Sequence, residues 1–231
     1  MASNILGDDP TLGSVGTTTL DVPIGVLDNG SLEARVLQAT VRCLGRWGMA
    51  KTTVDDIARE AGCGRASIYR LFPGGKDALL VAAGQYEEAR FFALLADRFD
   101  QAESLDDLLL TAITEASSFL REHEALQYLL AHEPEAVLPL IAFDRIGPVL
   151  HRVAAHAGPF LARFVDDRTA TEITEWATRL VISYALAPSP HFDLRDPVAA
   201  RRLLSQYLLP GLADPNTYNA SQASPANAHR S

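Results

Sequence analysis

Four side chains close together in this sequence have the chemistry to read a nucleic acid: Arg65, Tyr69, Arg70 and Lys76. The planar fork of an arginine matches O6 and N7 of guanine in the major groove, whereas a phenol hydroxyl and an ammonium suit phosphate oxygens. Such groups act together only if rigid elements hold them, and the stretch TTVDDIAREAGCGRASIYRLFPGGK (52–76) has the pattern for that. Thr53 is placed to cap a helix, with Asp55 and Asp56 in its electropositive first turn. Val54, Ile57, Ala58 and Ala61 follow at i, i+3, i+4, i+7, one apolar stripe over about two turns. Gly62 and Gly64 around Cys63 make a sharp turn. The spacing then predicts a second helix from Arg65 to Leu71, with Ile68, Leu71 and Phe72 inward and Arg65, Ser67, Tyr69 and Arg70 outward. Two helices across a glycine-containing turn of this length form a helix-turn-helix. Taken alone, the same pattern also fits a helical hairpin whose polar side chains face water.

The flanking residues extend the pattern. Arg35-Val-Leu-Gln-Ala-Thr40 and Gly48 upstream, Thr52-Thr-Val-Asp-Asp-Ile-Ala, Ala61-Gly, Ser67-Ile-Tyr-Arg-Leu-Phe72 and Lys76-Asp-Ala-Leu79 downstream resemble the tetracycline-repressor (TetR) family over roughly residues 35–80. The resemblance implies a DNA-binding set of Arg35, Thr53, Arg65, Ala66, Ser67, Tyr69, Arg70 and Lys76. Within it Arg65, Ser67 and Arg70 are expected at bases, and Arg35, Thr53, Tyr69 and Lys76 at phosphates. Three departures bear on base preference: Gly64 replaces a capping serine or threonine, Leu71 stands where histidine is common, and the loop Pro73-Gly-Gly75 replaces a more polar one.

The net charge of −9 over 231 residues argues against DNA binding until it is divided along the chain. Between Ser31 and Asp77 eight cations face five carboxylates, a balance of +3, and the remainder sums to −12. Phosphates would attract one end of the molecule and repel the other. Cys43 and Cys63 are expected as buried free thiols of a reducing compartment. No spacing suggests zinc, and no cofactor is expected. The absence of a cationic leader, and of any apolar run near ~18 residues, predicts a cytoplasmic protein without a membrane partner. Enzyme motifs are absent or broken. Gly62-Cys-Gly64 lacks the third glycine and preceding strand of a dinucleotide loop, Gly75-Lys76 is followed by Asp77 rather than Ser or Thr, and His151 and His156 diverge on a helix. No catalytic residue is expected.

Along the chain, residues 1–30 read as a disordered acidic arm and 31–77 as a three-helix DNA-binding domain. Residues 78–213 read as an all-α ligand-binding and dimerisation domain, and 214–231 as a disordered tail. Ser31 is expected to cap a first helix with Val36, Thr40, Cys43, Leu44 and Trp47 inward. A long helix should run from Lys76 to Phe99 as a lever between the domains, and another from Leu105 to about Arg121. Pro134, Pro139, Pro148 and Pro159 are expected to break the region 119–164 into short pieces, leaving a pocket lined by Phe119, Leu126, Leu130, Phe143, Leu150 and Phe160, with Trp176 contributing. Thr171–Ala187 and a last helix after Asp196-Pro197 would supply a dimer contact through Trp176, Leu180, Tyr184, Leu203, Tyr207 and Leu208, where the resemblance implies a four-helix interface. The sum is a DNA-binding transcriptional regulator, a repressor that holds a palindromic operator in double-stranded DNA as a homodimer and is released by a small apolar or amphipathic effector. The alternative is an all-α lipid-binding protein or enzyme with a vestigial DNA-binding domain; the retained Arg65, Tyr69, Arg70 and Lys76 speak against it.

Overall fold

The structure is a computed structural model that describes residues 28, 30–141 and 146–210. The fold is all-α, and no strand occurs among the described residues. The expected arm and tail, and Phe143, lie outside them.

Three helices form the head. Helix α1 (Leu32–Lys51) starts where the Ser31 hydroxyl accepts the Ala34 N–H, and it buries Val36, Leu37, Thr40, Cys43 and Leu44. Trp47, expected on that stripe, is 37% exposed, one residue before the helix is broken at Gly48. Helix α2 (Val54–Ala61) is closed at its start by a reciprocal capping box between Thr53 and Asp56, and at its end by Gly62 in the left-handed conformation. Helix α3 (Arg65–Leu71) has no side-chain cap at Gly64. Ile57 and Ile68, fully buried, lock α2 and α3 onto α1. Glu60 joins Arg42 and Arg46 at 2.7 and 3.0 Å, pinning α2 to α1 along the surface. Both cysteines are free, and burial, the largest cause, raises the Cys43 thiol above its ordinary range.

Helix α4 (Gly75–Phe99) links head to body. Its Tyr86 sits in the head core and accepts a hydrogen bond from Gln38 Nε2 at 2.8 Å, while Phe92, Leu95 and Phe99 belong to the body core. The body adds α5 (Leu105–Glu122), α6 (Glu124–His132), α7 (Pro134–Ile141), α8 (Ile146–Leu161) and α9 (Asp167–Leu186). A last helix, α10 (Pro197–Leu203), continues into a π-turn over Leu204–Leu208. The prolines fragment this region less than expected. Pro134 and Pro148 fall in first turns, where no amide donor is required, and Pro139 and Pro159 are absorbed inside α7 and α8.

The last helix corrects the expected dimer surface. Leu203 and Leu208, with Ala200 and Leu204, are buried in the protomer's own core, so they are committed before any partner arrives. Tyr207 (70% exposed) and Val198 (77%) point outward from the same segment.

Candidate nucleic-acid interface and effector cavity

The head presents its cations unequally. Arg65, on the exposed face of α3, pairs with Asp55 at 3.2 Å, and its guanidinium lies 5.6 Å from the centroid of the Tyr69 ring. The Tyr69 hydroxyl, first, and Asp55 hold the Arg65 pKa above its ordinary value. A solvent-exposed pair of this kind is weak, so a base or phosphate can displace it. Arg35, Lys51 and Arg70 are exposed and have no ion pair among the described residues. Ala66 is exposed beside Arg65, and Ser67 is half-buried. Thr53 spends its hydroxyl on the capping box, so only its exposed edge is left for a phosphate. Lys76, expected at a phosphate, is half-buried and donates to the Met49 carbonyl at 2.7 Å. Lys51 was missed; a basic residue just ahead of the Thr53 cap was the available sign.

That Met49 carbonyl belongs to a junction. Gly48 has φ 78° and ψ 179°, a region open essentially to glycine. A Cβ there would lie 2.3 Å from Glu133 Oε1 and 2.8 Å from Tyr128 Cε1. The break frees backbone donors of α1, and the Glu133 carboxylate at the end of α6 accepts them from Met49 (2.8 Å) and Ala50 (3.2 Å). Body and head are thus joined by charge-assisted bonds to backbone.

The body holds a partly open cavity of about 580 Å³ between α4 and α9, with walls from α5 to α8. Of the expected residues, Phe119, Leu126, Leu130 and Phe160 line it. Trp176 does not; it packs half-buried against the body core, and Leu150 is likewise outside the wall. The space exists because small residues occupy inward positions, among them Ala83, Gly84, Ala112, Ala116, Ala157 and Ala177. Three further wall residues, Val41, Leu44 and Met49, come from α1 of the head.

The cavity's carboxylates are already matched. Glu87 meets His123 Nε2 at 3.3 Å and Arg90 at 2.9 Å, and Glu88 meets Arg152 at 2.6 Å. Burial pushes the Glu87 carboxyl up, but the His123 hydrogen bond and Arg90 outweigh it and leave it below the ordinary range. The His156 ring stacks on Phe92 at 3.9 Å. A smaller pocket of about 190 Å³ lies between α5 and the segment after α9, lined by Ser117, Arg121, Tyr184, Ser189, Asp193 and Arg195 among others. No cluster of metal-binding side chains occurs among the described residues, and none of their helices is long and apolar enough to cross a membrane.

Residues 36–83 match the model of the bacterial regulatory proteins of the tetR family. An uncharacterised HTH-type transcriptional regulator of Mycobacterium tuberculosis strain H37Rv is 28% identical over 182 residues, spanning 76% of this chain and 83% of the relative. Among solved structures, the TetR family repressor AlkX of Dietzia sp. strain DQ12-45-1b, implicated in biodegradation of n-alkanes, superposes with a TM-score of 0.56 at 20% identity, covering 78% of this chain and 97% of AlkX. The regulator FadR of Bacillus subtilis, in complex with stearoyl-CoA, gives 0.51 at 16% identity, covering 75% and 97%. At these identities the structural likeness is one of fold.

Proposed function

The chain belongs to the TetR family of transcriptional regulators, and on that premise we propose that it is a repressor whose hold on a palindromic operator is relaxed by a small apolar or amphipathic effector. The observation that carries this reading is that Val41, Leu44 and Met49 of the head form part of the wall of the body's cavity. A molecule filling that space touches the helix on which α2 and α3 are packed. A ligand shifts an equilibrium only by its differential affinity for the two states, and a hundredfold loss of operator affinity needs about 2.7 kcal/mol of coupling. Contacts shared between effector and α1 are one route for it, and the Glu133 bonds to α1 are a second. That AlkX is implicated in n-alkane degradation and a FadR holds stearoyl-CoA supports an effector with a long hydrocarbon part.

Arg65, Ser67 and Arg70 are assigned to bases, and Arg35 and Tyr69, joined by Lys51, to phosphates. Dimerisation is assigned to α9 and the outer face of the last helix, through Trp176, Leu180, Tyr184 and Tyr207 with Val198, and half-sites should lie about 10 bp apart or a multiple of that. The experiment is a paired titration. Operator DNA selected from random sequence is bound with and without saturating hexadecane, octadecanoate or stearoyl-CoA at fixed salt, and each ligand is titrated with and without operator. Linkage requires equal factors in both directions. Ligands that occupy the cavity and leave operator affinity unchanged would overturn the induction reading.

A further inference from the structure

Ala185 on α9 lines both the apolar cavity and the small polar pocket, and on α5 the neighbours Ala116 and Ser117 line one each. The two spaces therefore lie side by side across the same two helices, and their chemistry is opposite. In the large one both carboxylates, Glu87 and Glu88, already have a cationic or imidazole partner, so a charged head placed there would compete with an existing pair, in the case of Glu87 and His123 a largely buried one.

The small pocket holds groups in want of a partner. Arg121 has no ion pair among the described residues, and the Ser117 hydroxyl is buried, in a residue only 5% exposed, with nothing to bond to. The carboxylate of Asp193 is gripped by Arg195 at 2.6 and 2.9 Å and held at a pKa of about 2, chiefly by that bond, so its charge is already answered. The pocket is left with one guanidinium that has no hydrogen bond or ion pair among the described residues and acts on Asp193 only at longer range, one orphaned hydroxyl and the Tyr184 side chain. A carboxylate satisfies such a set: two oxygens for the planar fork of the arginine, and a lone pair for the serine O–H.

We propose that the effector is a long-chain carboxylate whose hydrocarbon lies in the 580 Å³ cavity while its head passes Ala185 to Arg121 and Ser117. The assignment rests on the effector reading above and narrows it to an anionic amphiphile. It does so against the acidic balance of the body, which by itself favours a neutral or cationic ligand. Net charge sets the field at a distance, whereas an unpaired arginine beside an unpaired hydroxyl sets the local preference.

The test is calorimetric binding of dodecanoate, dodecan-1-ol and dodecyltrimethylammonium to the delipidated full-length protein. Dodecanoate should bind at least about tenfold more tightly than the alcohol, as expected for a hydrogen-bonded charge pair over a neutral contact, and the cation should bind weakest. Arg121→Gln should remove most of that advantage and leave the alcohol within about twofold. Ser117→Ala should weaken dodecanoate by about fivefold without lowering the melting temperature of the free protein, since the hydroxyl it removes has no partner there. Equal affinity for the three probes, or a loss from Arg121→Gln shared by alcohol and acid, would overturn the assignment. Dodecanoate bound through Arg121 with operator affinity unchanged would leave the head site standing and remove the induction reading.

Discussion

Head and body solve opposite packing problems. In the head, Ala34, Val36, Leu37, Ile57 and Ile68 are all at 1% exposure or less, and α2 and α3 are held by a capping box, a left-handed glycine and the Glu60 ion pairs. Helices of eight and seven residues do not persist alone in water, so these tertiary ties are what make them rigid. The body combines long helices such as α5, α8 and α9 with short ones and leaves space among them. The difference teaches where function sits: in the head it is the pattern of side chains outside a filled core, and in the body it is the volume that the core fails to fill.

Substitutions can break or sharpen this contrast. The largest effect is expected from Leu203→Glu, which places a charge in the body core and should cost about 4 kcal/mol or more, with collapse of the chemical denaturation midpoint. Tyr207→Glu, on the outer side of the same segment, should leave that midpoint nearly unchanged and raise the dimer dissociation constant in sedimentation. If Leu203→Glu instead gave stable folded monomers, the last helix would belong to an interface and not to the core.

Gly48→Ala should come next, at about 3 kcal/mol in urea unfolding, because the added methyl meets both an excluded backbone region and the Glu133 carboxylate. Arg70→Ala should cost about 2 kcal/mol in operator binding while shifting stability by less than about 0.5 kcal/mol, as a surface change should. A stability loss matching the binding loss would mean that head function is not carried by surface pattern alone.

The smallest effect concerns the cavity wall. Glu87→Gln should destabilise by about 1 kcal/mol at pH 7, the usual net value of one hydrogen bond. The Glu87 carboxyl is held below its ordinary range, so its contribution is full above the unfolded carboxyl's pKa and is lost as pH falls through the lowered folded value. Thermal melts of wild type and variant should therefore converge on acidification from pH 7. Divergence would show that His123 and Arg90 do not favour the ionised form.

The head was legible because each of its devices is local. A threonine three residues before an aspartate, a glycine after an apolar stripe and an arginine on the opposite face all act within one or two turns. Most helix bounds in the body followed from the same periodicity, and Ser104 caps α5 as read. The misreadings share a cause in tertiary context. Trp47 and Lys76 were placed by stripe and by resemblance, but the first lies partly exposed in the turn before the Gly48 break and the second binds the Met49 carbonyl just after it. Leu203 and Leu208 look alike from sequence whether they face a partner or their own core. Trp176, expected in the cavity, packs against the body core outside a wall that mixes large side chains such as Phe119 and Phe160 with alanines. Ala112 and Ala116, on the inward stripe of α5, were the sign of open space, and Ser117 beside them gave no sign until its hydroxyl was found without a partner.

The three head residues in the cavity wall bear on how such a protein diversifies. Val41, Leu44 and Met49 lie on the same helix that carries the exposed Arg35. On the proposed reading, the grip on DNA phosphates and the shape of the ligand site are therefore written partly on one segment, and the two halves are not interchangeable parts. A chimera made by joining a foreign head at the start of α4 would arrive with a different floor for the cavity. Retargeting the molecule to new DNA would thus succeed by exchanging α3 alone, and whole-head grafts should yield proteins that still find DNA but have lost their hearing.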